Sequence, residues 1–253
     1  MKPLGMRAYG HIGHLPNSRM GPGDHHCHEG QARICTEKGR DRHDMVVVQE
    51  KLDGSCMAVA RMEGRIVALN RAGYLAATSP YPSQHLFAGW VEDRQALFLD
   101  CLTDGERMVG EWLAQAVGTR YALAHEPFVV FDLMAEHRRA TVDELRSRVA
   151  DVLPTPHIVH RGGPVSVAGV CAVLAHGGGH GALDPVEGAV WRVERRGRVD
   201  FLAKWVRPDK VDGCYLPEVS GGHAIWNDWP RKGLDHVVGR VGATAMAGGG
   251  ADL

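Results

Sequence analysis

The sequence is short of net charge, of aromatic side chains and of long apolar runs. Its 29 lysines and arginines face 30 aspartates and glutamates, a formal net charge of −1. That balance argues against a generally basic, histone-like nucleic-acid binder and leaves room for a local basic groove. Aromatic residues make up only 6% of the chain, and no run of about 18 apolar residues occurs, so a membrane-spanning helix is not expected. The stretch from Met1 to Arg7 lacks the apolar core of a secretory signal. The six cysteines (Cys27, Cys35, Cys56, Cys101, Cys171 and Cys214) include no Cys-x-x-Cys pair, which reads as reduced thiols in a cytoplasmic protein and not as a disulfide framework. No internal repeat is found. The remaining figures are ordinary: 253 residues, 44% hydrophobic, enough to bury the core of one large domain or of one domain with a small appendage.

Residues 1–44 are rich in glycine, histidine, proline and charge, without periodicity, and read as a loop-rich lead-in packed on the main body of the chain. From Met45 to Glu50 a β-branched run begins, and Ser55 to Arg61 and Arg65 to Asn70 flank Glu63-Gly64 as strand, turn and strand. Leu86, Trp90, Val91, Leu97 and Leu99 fall at helical spacing over residues 85–102. Arg107 to Gly110 and Pro127 to Leu133 read as buried strands. Thr141-Val142-Asp143-Glu144 is a capping box that predicts a helix to about Leu153, and Val165 to Ala175 predicts another. Val186 to Val193 and Val199 to Val206 form a last strand pair turning at Arg196-Gly197, with Pro208 ending the second strand or placing it at an edge. Beyond Lys210 the chain loosens, ending in a Gly248-Gly249-Gly250 tail expected to be disordered. Strands and helices without strict βαβ alternation indicate an α+β fold with antiparallel sheets flanked by helices. The expected division is a lead-in over 1–44, a main domain over 45–215 and a short extension over 216–253.

The sharpest local feature is Glu50-Lys51-Leu52-Asp53-Gly54-Ser55. An Asp-Gly turn after a strand is ordinarily a hairpin. A strand-end lysine facing a pocket, however, can lose its proton to desolvation and neighbouring cations, and a neutral amine is a good nucleophile. Downstream lie Asn70-Arg71-Ala72-Gly73, Val109-Gly110-Glu111-Trp112, Phe128 to Leu133, Val186-Glu187-Gly188 and Phe201 to Arg207, each with polar residues in an apolar setting. Singly, each has an ordinary explanation. Arg71 reads as a surface charge, Glu111 as an exposed strand residue, Phe131 as core, and Glu187 with Lys204 as a cross-strand pair of little energetic weight.

Taken in order, these segments resemble the covalent nucleotidyltransferase superfamily of ATP-dependent DNA ligases, RNA ligases and capping enzymes, over residues 45–210. Lys51-Leu52-Asp53-Gly54 resembles its Lys-x-Asp-Gly nucleophile motif, and Arg71 the arginine about twenty residues on. Glu111, Phe131-Asp132, Glu187-Gly188 and Lys204 resemble the later motifs. The resemblance implies a nucleotidyltransferase adenylation domain, an ATP-grasp-like ligase core. It implies that Lys51 forms a lysyl-AMP phosphoramide, that Lys204 meets the α-phosphate and helps depress the pKa of Lys51, and that Glu187 binds Mg²⁺ (or Mn²⁺). It further implies that Glu111 and Arg71 hold the ribose hydroxyls, that Phe131 stacks on adenine, and that the backbone around Glu50 lines the adenine edge. Asp53 reads as an organiser of the motif.

The implied second substrate is nucleic acid, whose adenylated 5′-phosphate is joined to a 3′-hydroxyl. Residues 191–210 hold Arg192, Arg195, Arg196, Arg198, Lys204, Arg207 and Lys210 against Glu194, Asp200 and Asp209. This segment reads either as a solvated hairpin or as a phosphate-tracking surface, with Arg195, Arg196, Arg198, Arg207 and Lys210 the candidates. DNA ligases of the superfamily usually carry an arginine five positions past the nucleophile, where this chain has Cys56. A second lysine two residues after Lys204 is also replaced, by Val206, with Arg207 or Lys210 as substitutes. Residues 211–253 leave no room for an oligonucleotide-binding barrel, so the expectation is an RNA ligase of the compact phage RNA-ligase-2 type, with RNA preferred over DNA and a partner or partner domain helping to dock substrate. The alternatives are a DNA ligase, a capping-type enzyme, or an impaired nucleic-acid-binding module. Two further signals stand apart. His11-Ile12-Gly13-His14 spells a class I synthetase signature without its downstream loop and reads as coincidence. Asp24-His25-His26-Cys27-His28 reads as a polar loop, with zinc the alternative.

Overall fold

The computed structural model describes residues 1–149 and 152–230. In chain order the elements are β1 (Gly13–His14), α1 (Glu29–Thr36), β2 (Asp44–Lys51), β3 (Ser55–Met62) and β4 (Arg65–Asn70). There follow α2 (Pro82–Glu92), α3 (Gln95–Cys101), β5 (Glu106–Trp112), β6 (Phe128–Ala135) and β7 (Arg138–Arg139). The remainder comprises α4 (Val142–Val149), β8 (Ile158–Gly162), α5 (Val167–Leu174), β9 (Gly188–Arg195), β10 (Arg198–Val206) and α6 (Pro217–Ser220). This is the expected α+β arrangement, in two five-stranded sheets ordered β1-β10-β9-β2-β8 and β4-β3-β5-β6-β7. Every strand pair is antiparallel except β1 with β10.

Turn chemistry explains the hairpins. Glu63-Gly64 and Arg196-Gly197 have both residues at positive φ, the twist that matches flanking right-handed strands. Pro208 lies past the end of β10, which is an interior strand. The capping box forms as the sequence predicts: the Glu144 N–H donates to Thr141 Oγ1 at 3.2 Å, and the Thr141 N–H donates to Glu144 Oε2 at 2.7 Å. The expected end of that helix, near Leu153, falls across residues outside those described, as does the Gly248–Gly250 tail.

Three expectations are corrected. The lead-in contains β1 and α1, and its Ala8, Leu15 and Cys35 are fully buried. Residues 85–102 form two helices, α2 and α3, parted at Asp93-Arg94, where Arg94 leaves the helical path with a φ of −119° and its Nη2 donates to Glu126 Oε1 at 2.6 Å. The segment after Lys210 does not simply loosen. The Asn227 N–H donates to the Ala114 carbonyl at 2.9 Å, and Trp229 joins the core.

Helices α2 and α3 cover one face of the second sheet over an aromatic core of Phe87, Trp90, Phe98, Trp112 and Phe128. The first sheet packs Val46, Val48, Trp191 and Val193 against the lead-in and α5. A third cluster lies where Ala8 and Tyr9 meet Ala58, Leu69, Val109 and Met134.

Candidate active site

Strands β2 and β3 belong to different sheets, and Leu52-Asp53-Gly54 carries the chain between them. Lys51, the last residue of β2, therefore emerges where the sheets diverge. The crossover is tight: a Cβ on Gly54 would lie 2.5 Å from the Trp112 carbonyl oxygen, so only glycine fits. The Gly54 N–H donates to Glu111 Oε1 at 3.0 Å, and the Asp53 N–H donates to the Tyr121 hydroxyl at 3.0 Å. Opposite Lys51 in β9 stands Gly188, whose missing side chain lets the Trp205 carbonyl approach and sets Glu187 beside the lysine.

A cavity of about 620 Å³ opens between the sheets. Glu50, Lys51, Arg71, Glu111, Phe131, Glu187 and Lys204, brought from four strands and two loops, all line it, with Tyr9, Ile12, Asp53 and Cys56. Phe131 reaches it through a bulge. Asp132 pairs with Val109 and Val130 with Gly110, so Phe131 has no partner across β5, and a bulge re-aims its side chain. Its ring meets Tyr9 edge-on at 5.1 Å. Behind it, buried Arg192 donates to Asp132 Oδ1 at 2.5 Å and to the Phe131 carbonyl at 3.0 Å, and the Tyr9 hydroxyl donates to Asp132 Oδ2 at 2.6 Å. Arg192 thus ties one sheet to the other and is not part of a solvated hairpin.

Charge in the cavity is closely balanced. The Lys51 ammonium lies 2.5 Å from Glu187 Oε2, while Lys210 lies 3.7 Å from Glu187 Oε1 and forms an ion pair with Asp53. Burial works against the charge on Lys51, but Glu187, Glu111 and Asp53 outweigh it and hold the amine above the ordinary lysine value. This corrects the expectation of a lysine already neutral: without ligand, Lys51 is an ammonium clamped by carboxylates. Burial pushes the Glu111 carboxyl up to about 7, against the pull of Lys51. Burial also raises Glu187 and Glu50. Glu50 Oε2 accepts from the Gly179 N–H at 2.6 Å, and its Oε1 is buried without a protein partner. Cys56 stands opposite Glu111 in register, its thiol pushed up by burial.

Lys204 faces the same cavity from β10. Burial, then repulsion from Lys51, draws it below the ordinary lysine value. Its ammonium lies 3.4 Å from Asp24 Oδ1, and Asp24 lies 3.0 Å from His14 Nε2. Asp24 is pushed up by burial, but the Gly21 N–H, Lys204 and His14 outweigh this and bring it to about 2. His14 therefore serves a buried charge cluster, in a strand and not at a helix start. Its N–H donates to the His25 carbonyl, the Cys27 N–H donates to the His14 carbonyl, and the His28 N–H donates to Gln31. The histidine-rich segment is thus built into the backbone pairing around β1. Among the described residues no group of three or more potential ligands is arranged to hold a metal ion.

The nucleic-acid candidates divide. Arg195 is held by Asp41 at 2.5 Å and Asp44 at 2.9 Å, and Arg207 by Asp209 at 2.6 Å. Lys210 is only 3% exposed, a correction to its expected place on a phosphate-tracking surface. Arg196 and Arg198 are exposed at the far end of the β9–β10 hairpin.

A family model for RNA ligases matches residues 44–206, most of the chain. The chain belongs to the RNA ligase family. Among solved structures it is similar to a Naegleria gruberi RNA ligase with PPi, at 19% identity and a TM-score of 0.52 over 85% of this chain and 63% of that one. It is also similar to a putative ATP-dependent DNA ligase from Aquifex aeolicus (17%, TM-score 0.45, 79% and 49%). An archaeal ATP-dependent RNA ligase is a further match (20%, TM-score 0.42, 65% and 43%). The Naegleria likeness shows a shared ligase nucleotidyltransferase fold. The chain spans between 43% and 63% of the length of these structures. No curated protein sequence matches.

In this RNA ligase family member, sequence reasoning missed Tyr9, Asp24 and Tyr121. Asp24 is hidden by its histidine neighbours, and Tyr121 and Tyr9 lie in loops with no motif. Their only signal is being large or charged side chains outside any regular element.

Proposed function

We propose that this chain is an ATP-dependent RNA ligase working through a lysyl-AMP intermediate on Lys51. The observation that supports this most is the single cavity in which the Lys51 amine meets Glu187 while Lys204, Arg71, Glu111 and Phe131 line the surrounding walls. Its volume, about 620 Å³, suits a nucleotide-sized ligand. Of the carboxylates that line the cavity, Glu187 is our choice of ligand, an oxygen donor of the kind Mg²⁺ or Mn²⁺ prefers. That ion supplies positive charge to the phosphates.

In this reading Lys51 Nζ is released from Glu187, gives up its proton and attacks the α-phosphorus of ATP. An N–P bond forms as the bond to pyrophosphate breaks. Lys204 offsets the charge developing on the α-phosphate. Arg71 and Glu111 hold the ribose, Phe131 stacks on adenine, and Glu50 lines the adenine edge. AMP then passes to a 5′-phosphate of the polynucleotide, and attack by a 3′-hydroxyl seals the strand and releases AMP. RNA is preferred over DNA, supported by the family match and by Cys56 where DNA ligases carry arginine. We assign residues 45–215 as the adenylation domain, with 1–44 as its side wall and 216–253 as a C-terminal extension, and infer a cytoplasmic setting from the six free cysteines.

The test is self-adenylylation. The protein incubated with α-labelled ATP and Mg²⁺ or Mn²⁺ is expected to carry covalent label through a denaturing gel, with GTP much poorer. Absence of label, or label that persists in Lys51→Ala, overturns the mechanism. Nicked RNA, DNA and hybrid duplexes then define the substrate, and sealing of all-DNA nicks alone would overturn the preference for RNA.

A further inference from the structure

Beside the nucleotide cavity lies a second groove, of about 490 Å³, between the β6–β7 turn and the start of β10. Ile12 and Leu202 line both, so the two are adjacent. The groove is cationic, with Arg138, Arg139 and Arg198 lining it beside His11 and His137, against one carboxylate, Asp200. Asp200 is itself neutralised by Arg40 at 2.5 Å. Arg138 and Arg198 are exposed and form no ion pair among the described residues. Among the described residues 11 of the 19 other arginines are matched to a carboxylate, and two unmatched guanidiniums in one groove suit an anionic ligand.

The groove is also built rigidly. Arg107 is 2% exposed and lies beneath the β6–β7 turn, its Nη2 donating to the Glu136 carbonyl at 2.7 Å and its Nε to the Ala8 carbonyl at 2.8 Å. Glu136 sits at a φ of 49°, a conformation costly for a residue with a side chain, so the pinned turn is specified and not incidental. Arg139 is fixed over the Tyr9 ring at 4.7 Å and lies 3.5 Å from Asp132. On the cavity side the positive potential continues. Arg71 chiefly, then burial, Arg7 and Lys204, lower the pKa of His11.

We propose that this groove is the track for the sugar–phosphate backbone of the strand to be joined, leading from Arg198 along β10 to Lys204. The inference rests on the ligase reading and adds to it the place where the polynucleotide lies. A single phosphate needs donors converging on a point. Here Arg138 and Arg139 of β7 line the groove with Arg198 of β10, and Lys204 stands six residues further along β10, about 20 Å away by the rise of a strand. That spacing suits a polyanion with charges repeated along its length.

The experiment measures fluorescence anisotropy of a short 5′-phosphorylated RNA, labelled at its 3′ end, titrated with the full chain over a series of salt concentrations. Wild type is expected to bind with strong salt dependence. The double variant R138A/R198A is expected to bind about tenfold or more weaker, with the salt slope reduced by about one to two, because each lost phosphate contact removes roughly 0.7 to 0.9 from it. R138K/R198K is expected to recover most of the affinity. Both side chains are exposed, and a thermal melt of each variant confirms folding. Equal affinity and slope in wild type and R138A/R198A would overturn the groove, as would wild-type binding without salt dependence. Self-adenylylation of wild type with ATP alone separates the two readings. Label on Lys51 with unchanged RNA binding removes the groove and keeps the ligase, whereas no label with loss of RNA binding in the variant does the reverse.

Discussion

Beneath the second sheet, Phe87, Trp90, Phe98, Trp112 and Phe128 have no solvent exposure and pack as an unbroken aromatic cluster, with Phe87 5.2 Å from Trp112 and Trp90 5.6 Å from Trp112. Where the sheets diverge, Asp53, Glu187 and Lys210 are almost as hidden and Lys51 is half-buried, yet the four hold together by mutual neutralisation. The two interiors meet at Trp112-Leu113, one residue from Glu111. Apolar burial stabilises without regard to pH. A buried charge cluster contributes little net stability, because desolvation offsets attraction, but it fixes which groups are charged. The first interior carries the fold, and the second sets the charge state of Lys51.

Substitutions separate the two. Phe87→Ala is expected to cost about 3 to 5 kcal/mol, read as a lower urea midpoint with the m-value unchanged, and to cost the same at acid and neutral pH. Arg192→Leu is expected to cost a similar amount for a different reason, since it strands the Asp132 carboxylate in a fully buried place with only Tyr9 and Arg139 nearby. R192L/D132L is then expected to recover most of the loss, which no second substitution near Phe87 would do by charge removal. If the double variant is as unstable as the single, the tie between the sheets is made by shape and not by charge.

The same division explains how much of the molecule is legible in its sequence. The hairpins at Glu63-Gly64 and Arg196-Gly197 and the capping box at Thr141 are readable because each is decided within four residues. The motif residues from Lys51 to Lys204 are readable because their order along the chain is itself informative, although no single one is. The features that escape are long-range. Arg94, at the break between α2 and α3, meets a carboxylate 32 residues on, Glu126. Lys210 reads as a surface cation because its partner, Asp53, is 157 residues away. Arg192 carries the same disguise, since a positive charge in sequence gives no sign of whether a carboxylate awaits it inside. The lead-in looks structureless because its apolar residues are few, though they reach deep.

Lys210 offers a sharper test of the charged interior. It occupies Asp53 and approaches one oxygen of Glu187, leaving the other to Lys51. Lys210→Met frees both carboxylates to act on Lys51, whose amine already sits above the ordinary lysine value. The rising limb of the self-adenylylation rate against pH is therefore expected to move to higher pH, with the neutral-pH rate falling about tenfold for each unit. K210R is expected to restore the profile. A lower rate with an unmoved profile would mean that Lys210 only supports the loop around Gly118.

The remaining test is the one that most directly contrasts the interiors. Burial lifts the Glu111 carboxyl to about 7, whereas in the unfolded chain it titrates near 4.3, roughly the value of a free glutamate. Between those values the folded state holds a proton that the unfolded state has released. Stability is therefore full below the unfolded value and falls as pH rises to about 7, above which the loss is complete. Glu111→Gln removes this dependence while keeping an oxygen to accept from the Gly54 N–H. The melting temperature of E111Q relative to wild type is thus expected to be higher at pH 8 than at pH 5. Glu50 keeps its own contribution in both proteins, whereas Glu187 and Lys51 are coupled to Glu111, so the difference reads Glu111 together with its effect on them. Repeating the comparison with Phe87→Ala supplies the contrast, because an apolar cavity shifts both melting temperatures together. A constant difference between E111Q and wild type across that range would mean that Glu111 is solvated well enough to ionise normally, and that the charged interior is wetter than its burial suggests.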